Sequence, residues 1–75
     1  MNVTKSIDVK GLACPMPIVQ TKKAIKELQT QDVLEVVTTD AGAKADLTAW
    51  AKSQGHALLD EKEENDVFTF WIQKG

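Results

Sequence analysis

The chain contains no arginine, one histidine and one cysteine among its 75 residues, and each scarcity removes a class of function. Without arginine there is no planar fork to clamp phosphates or read guanine edges. One cysteine cannot close an internal disulfide, and with one histidine it cannot complete a structural zinc site. A reducing, cytoplasmic setting is expected. Aromatic residues make up 5% of the chain, too few for a base-stacking platform. No apolar run is long enough to cross a membrane, and residues 1–10 lack the basic start and apolar core of a secretion signal. No repeat, linker or low-complexity tract interrupts the chain, which reads as one domain over residues 1–75. A chain this short buries only roughly 60–65% of its unfolded surface, so a modest stability margin is expected.

What is present is an ordinary globular composition, 43% apolar and 27% charged, with an uneven charge distribution. Residues 1–31 carry five lysines against two acids, a balance of +3, whereas residues 32–75 carry four lysines against nine acids, a balance of −5. Two explanations stand. The basic share serves an acidic partner or anionic substrate near Cys14, or it is simply the solvated face of a helix.

Hydrophobic spacing divides the chain into six elements. Ser6–Val9 alternates as a short strand with Ile7 and Val9 on one side, and Gly11 to Ala13 form the turn after it. A first helix is expected from Pro15 to Leu28. Steps of 100° put Ile18, Thr21, Ile25 and Leu28 inward, with Met16, Gln20, Lys23 and Glu27 opposite. Val33–Thr38 is a second strand with Leu34 and Val36 inward. A second helix from Ala43 or Lys44 to Gln54 buries Leu47, Trp50 and Ala51, with Gly55 closing it. His56–Asp60 is a third strand, Glu61 to Asp66 an acidic turn, and Val67–Gln73 a fourth strand. The order βαβαββ predicts an α/β two-layer sandwich, a four-stranded mixed sheet with both helices on one face. Strands joined through a helix should pair in parallel by a right-handed crossover.

Cys14 stands at the junction between the first turn and the first helix. Pro15 suits the first helical position, where a missing N–H costs nothing, and Pro17 is tolerated in the same turn. Cys14 thus falls at or beside the N-cap, near the positive end of the helix dipole, an environment that favours a thiolate. The plainer reading of a lone cysteine is a buried apolar filler.

The segment Ile7-Asp8-Val9-Lys10-Gly11-Leu12-Ala13-Cys14-Pro15-Met16-Pro17 resembles the signature of the TusA/SirA-like sulfur carriers, small single-domain proteins with a CPxP motif. The likeness extends through Lys22-Lys23-Ala24-Ile25, Leu34-Glu35-Val36, Asp40, Asp46-Leu47 with Trp50, and Gly55-His56. It implies that Cys14 carries sulfane sulfur as a persulfide, with Gly11, Pro15 and Pro17 as motif supports and no cofactor. A cysteine desulfurase or rhodanese-like protein is the implied donor and a downstream protein the acceptor, serving tRNA thiolation, cofactor sulfuration or sulfur oxidation. No nucleic-acid binding and no membrane contact are expected. The alternative is a regulatory or RNA-associated binding module of the same fold, which the missing arginines and acidic second half disfavour. A redox sensor is disfavoured by the lack of a resolving cysteine.

Several other residues carry two readings each. Met16, outward near the thiol, is either an adaptable docking contact together with Lys23 or an unremarkable exposed side chain. Lys44, at the start of the second helix, would help hold a persulfide anion or attract an acidic partner. Asp40 is read as capping that helix. His56 falls at the sheet edge opposite Cys14 and is read as structural, with no Cys–His dyad. Trp71, between Phe70 and Ile72, would face out on the open side of the sheet. Two departures from the family pattern concern loops. Thr30-Gln31-Asp32 replaces the usual glycine after the first helix, so a non-glycine residue must turn left-handed there, and Ala41 replaces a common proline after Asp40.

Overall fold

The computed structural model describes residues 2–13 and 15–75. Cys14 therefore lies outside the described residues. The elements follow the expected order: β1 (Lys5–Asp8), α1 (Met16–Lys26), β2 (Val33–Thr38), α2 (Ala43–Ser53), β3 (Ala57–Glu64) and β4 (Val67–Gln73). No described helix is long and apolar enough to cross a membrane.

The sheet order is β1-β2-β4-β3, with β1 parallel to β2 and β4 antiparallel to both β2 and β3. This corrects one expectation. The helix α2 joins β2 to β3, but those strands do not pair, because β4 lies between them. The composition explains the order. Strand β4, Val-Phe-Thr-Phe-Trp-Ile-Gln, buries Phe70 and Ile72 against the helices and keeps Trp71 half-buried behind, so it profits from neighbours on both edges. Strand β3 reads Ala-Leu-Leu-Asp-Glu-Lys-Glu-Glu, almost wholly exposed, and its charges suit an outer edge that must not recruit other strands.

Helix-facing residues interlock in register. Leu34 opposes Ile72, and Val36 lies between Ile7 and Phe70 across the three strands. Together with Val9, Ala24, Ile25, Leu28, Ala43, Leu47 and Ala51 they form one buried cluster. Full burial of a side chain of this size stabilises by roughly 1.5–3 kcal/mol. Ile18 is only half-buried, and so is Trp50, which packs against the cluster rather than inside it. Behind the sheet, Glu35 accepts hydrogen bonds from Ser6 Oγ (3.0 Å) and Trp71 Nε1 (2.8 Å), linking three strands on the open face.

The chain breaks are also physical. Gly55 takes φ +77 just past α2. The β3–β4 connection is shorter than expected: β3 continues to Glu64, and Asn65 and Asp66 alone make the turn, both with positive φ as a type I′ hairpin requires. The acidic run Glu61–Glu64 reads as loop by composition, yet it continues an edge strand with all four side chains exposed. Leu59 is the extra residue of a bulge between Leu58 and Asp60.

After α1 the anticipated left-handed residue is Gln31, at φ +76. Its amide donates to Lys74 O at 2.7 Å, so the turn is held in place from the far end of the chain. A side chain in this region costs about 1–2 kcal/mol, of which glycine's extra backbone entropy would return part. Gln31→Gly should therefore raise the unfolding free energy by about 0.5–1 kcal/mol, read as a higher urea midpoint at unchanged slope. A lower midpoint would mean that the glutamine side chain more than offsets its backbone strain.

Candidate functional site

The segment that leads to Cys14 is built from three local devices. Asp8 Oδ1 accepts the Lys10 amide (3.0 Å), a turn that ends β1. Leu12 N–H then donates to Val9 O (3.2 Å) with Gly11 at φ +83, the geometry of a type II turn, whose third position calls for glycine. The Gly11 amide donates to Thr39 Oγ1 at 2.9 Å, fastening the turn to the segment after β2. Beyond the cysteine, Met16 N–H returns to Ala13 O (2.9 Å).

Pro15 is the N-cap of α1 rather than its first helical residue, and Met16 and Pro17 follow as the first two. Of the four amides that a helix start leaves without intrahelical partners, two are thus missing because they belong to prolines. A third, that of Met16, is committed to Ala13 O. What this helix start offers an anion is its aligned dipole and the lack of acidic residues in the first turn. Pro17 is buried, and its carbonyl accepts Thr21 Oγ1 at 2.7 Å. Pro15 and Met16 stay exposed, as do Leu12 and Ala13. Leu12 (38% exposed) and Met16 (39%) give the motif an apolar rim.

The next strand end supplies the other wall. Asp40 sits at the same sheet edge, its amide donating to Thr38 Oγ1 (3.1 Å) and its Oδ1 accepting the Gly42 amide (3.0 Å). The N-cap of α2 is Gly42, so Asp40 orders the turn before the helix and does not cap it. Asp40 Oδ2 is buried and without a hydrogen-bond partner, the one such side-chain atom among the described residues. Thr39 escaped the sequence reading. Its signal is the run Thr38-Thr39-Asp40, three short oxygen-bearing side chains at a strand end, of the kind that bind nearby backbone.

The structure separates the remaining candidates. Lys23 is exposed on α1 and joins no ion pair among the described residues. Lys44 pairs with Glu61 Oε1 of β3 at 3.5 Å, which directs its charge toward the far side of α2. His56 lies just before β3, accepts the Gly75 amide on Nδ1 (3.0 Å) and packs on Trp50 with ring centroids 5.1 Å apart. Because β1 and β3 point the same way, the start of β3 and the end of β1 occupy opposite sheet edges. Among the described residues no group of acidic, histidine or cysteine side chains could hold a metal ion.

A family model for the sulfurtransferase TusA matches residues 5–74. The chain belongs to the TusA family. It is 61% identical over 75 residues to YrkI of Bacillus subtilis, a candidate sulfur carrier protein, with both chains covered in full. It is 40% identical over 70 residues to the sulfur carrier protein TusA of Allochromatium vinosum, covering 93% of this chain and 95% of that one. The crystal structure of a SirA-like protein from Desulfitobacterium hafniense superposes with a TM-score of 0.84 at 29% identity, over 95% and 97% of the two chains. The family assignment and the two-layer fold expected from the sequence are both borne out.

Two consequences are measurable. A Cβ added at Gly11 would meet nothing within 4 Å, so Gly11→Ala should lose about 1–2 kcal/mol from the left-handed backbone alone, without a packing defect. A loss of that size in urea unfolding, with an unchanged core fingerprint by NMR, is the expected outcome. Partial burial, then the nearby Lys74 ammonium, lowers the pKa of His56. The neutral form is therefore favoured in the folded state. Its contribution to stability is full above the ordinary histidine pKa and is lost as pH falls through the depressed one. His56→Asn should flatten the fall in stability between about pH 7 and 5, and an unchanged slope there would contradict the shift.

Proposed function

We propose that this protein is a sulfur carrier whose working group is Cys14. The Cys14 thiolate attacks the outer sulfur of a donor persulfide, the donor's S–S bond breaks, and the donor leaves as a thiolate. Cys14 then holds the sulfur as a persulfide until an acceptor nucleophile attacks that outer atom and releases the thiolate again. Every step exchanges one sulfur bond for another and needs no cofactor. The observation that carries the reading is the lone cysteine of the chain within Cys14-Pro15-Met16-Pro17, in a member of a family whose relatives are named as sulfur carriers.

The surroundings support it in three ways. The turn ahead of the cysteine is clamped at Gly11 and the helix after it is anchored by buried Pro17, so the motif is held at both ends. No acid stands in the first helical turn to oppose a thiolate or persulfide anion. The exposed Leu12 and Met16 offer an apolar contact, and Lys23, about two turns further along α1, adds a positive charge, which suits an acidic donor or acceptor surface. A cysteine desulfurase or a rhodanese-like protein has the required donor chemistry, and a reducing compartment such as the cytoplasm keeps the thiol available. Lys44 enters only as a distant contributor, because Glu61 already answers its charge.

Incubation with a cysteine desulfurase and cysteine, or with a thiosulfate-charged rhodanese, should add the mass of one sulfur to the intact chain. Cys14→Ser should fold normally and gain nothing. Lys23→Glu should load several-fold more slowly from an acidic donor while its stability stays within about 0.5 kcal/mol of the parent. No adduct from any of these donors would leave Cys14 without a sulfur-carrying role.

A further inference from the structure

At the sheet edge opposite the motif, the second halves of α1 and α2 border a cleft of about 300 Å³. Its apolar lining is Ile25 and Trp50. Lys22 and Lys26 reach it from successive turns of α1, and Lys74 reaches it from the end of β4. No carboxylate is among the described residues that line it. Lys74 Nζ donates to Leu28 O at 2.6 Å and so answers the C-terminal carbonyls of α1. Lys22 and Lys26 have no such answer, since neither joins an ion pair among the described residues. Two like charges one helical turn apart repel each other, and a third lies across the cleft. In a chain of net charge −2, this is an unbalanced cationic group gathered around an indole.

We propose that this cleft binds a mononucleotide, its planar ring against Trp50 and its phosphates between Lys22 and Lys26. The volume lies at the lower end of small-molecule sites, and an apolar lining with few polar groups is their usual composition. Lysine ammoniums act as point charges toward phosphate and need no bidentate geometry, so the missing arginines are no obstacle here. Phosphate binding would relieve the repulsion that the unliganded cleft carries. His56 borders the same cleft under the influence of Lys74, so a bound anion should favour its protonated form. The site lies at the other edge of the sheet from residues 9–13, which makes it independent of sulfur chemistry at Cys14.

NMR titration of the full ¹⁵N-labelled chain with ADP, adenosine and inorganic phosphate at low salt tests the assignment. ADP should shift the Trp50 indole N–H and raise the His56 titration midpoint, and adenosine and phosphate alone should each bind at least roughly tenfold more weakly. The double variant Lys22→Glu/Lys26→Glu, altered only at exposed positions, should lose at least roughly tenfold in ADP affinity. Lys23→Glu and Cys14→Ser should bind as the parent does. Shifts confined to other surfaces, unchanged affinity in the double variant, or no ADP binding would overturn the proposal. Tighter binding of a single-stranded oligonucleotide than of ADP would also overturn it, by making a strand the ligand.

Discussion

The four-residue parallel pairing of β1 with β2 is the constraint on which the motif end of the molecule depends. β1 is an edge strand, and its own side chains Ser6 and Asp8 are exposed. Its hold comes from Ile7 and buried Val9 on the helix side and from ladder bonds that extend past both strand ends, Thr4 N–H to Val33 O and Val9 N–H to Val37 O, each 2.8 Å. Lys5 and Glu27 form an ion pair between β1 and α1, and Lys5 holds the Glu27 carboxyl below the usual carboxylate range. Both partners are exposed, so this pair orients more than it stabilises. Two residues past Val9 comes the Gly11–Thr39 bond, and three past Gly11 comes Cys14. A short strand thus fixes where the cysteine segment starts, with the end of β2 as its reference.

The centre of the sheet follows from a different pressure. β4 carries Phe68, Phe70 and Ile72 on one face and Val67 and Trp71 on the other, and placing it between β2 and β3 gives both of its hydrogen-bonding edges a partner. Consequently α2 must bridge across β4 to connect strands that never touch, and its buried Ala43, Leu47 and Ala51 lie over the cluster formed by Phe70 and Ile72. Small alanines at both ends of that stripe let the helix approach the sheet closely. Trp50, one step off the stripe, is left at the rim, where it meets His56 and lines the cleft instead of filling the core.

Much of this was legible because period and punctuation agree. The strands Val33–Thr38 and Val67–Gln73 follow from alternation alone, Gly55 from its place after a helical run, and the left-handed turn at Gln31 from a missing glycine. The misreadings share a cause. Sheet order depends on which strand gains most from two neighbours, a comparison across the whole chain that no local window contains. The charged run Glu61–Glu64 resembles a loop because an edge strand at the surface has no apolar face to display. Asp40 and Lys44 were assigned by proximity in sequence, whereas their partners are Gly42 across a tight turn and Glu61 on another strand. Of the site, the cysteine and its prolines are visible in the letters. The Thr39 latch and the cleft are not, because both join segments distant from one another in the chain.

The folded arrangement also changes what the basic first half of the chain means. Of its five lysines, Lys5 is tied to Glu27 and Lys10 lies 3.7 Å from Asp8, so the positive excess condenses onto Lys22, Lys23 and Lys26 of α1. A helix cannot present three such positions in one direction: residues 22 and 26 share a face, and residue 23 is turned about 100° from residue 22. Lys22 and Lys26 accordingly border the cleft beside α2, and Lys23 stands apart from it. A single patch inferred from composition becomes two surfaces with different neighbours, one beside an aromatic ring, the other open to solvent. Charge counted along a chain is therefore a poor guide to the number of sites it serves, whereas charge placed on a helical wheel and matched to its counter-ions resolves them.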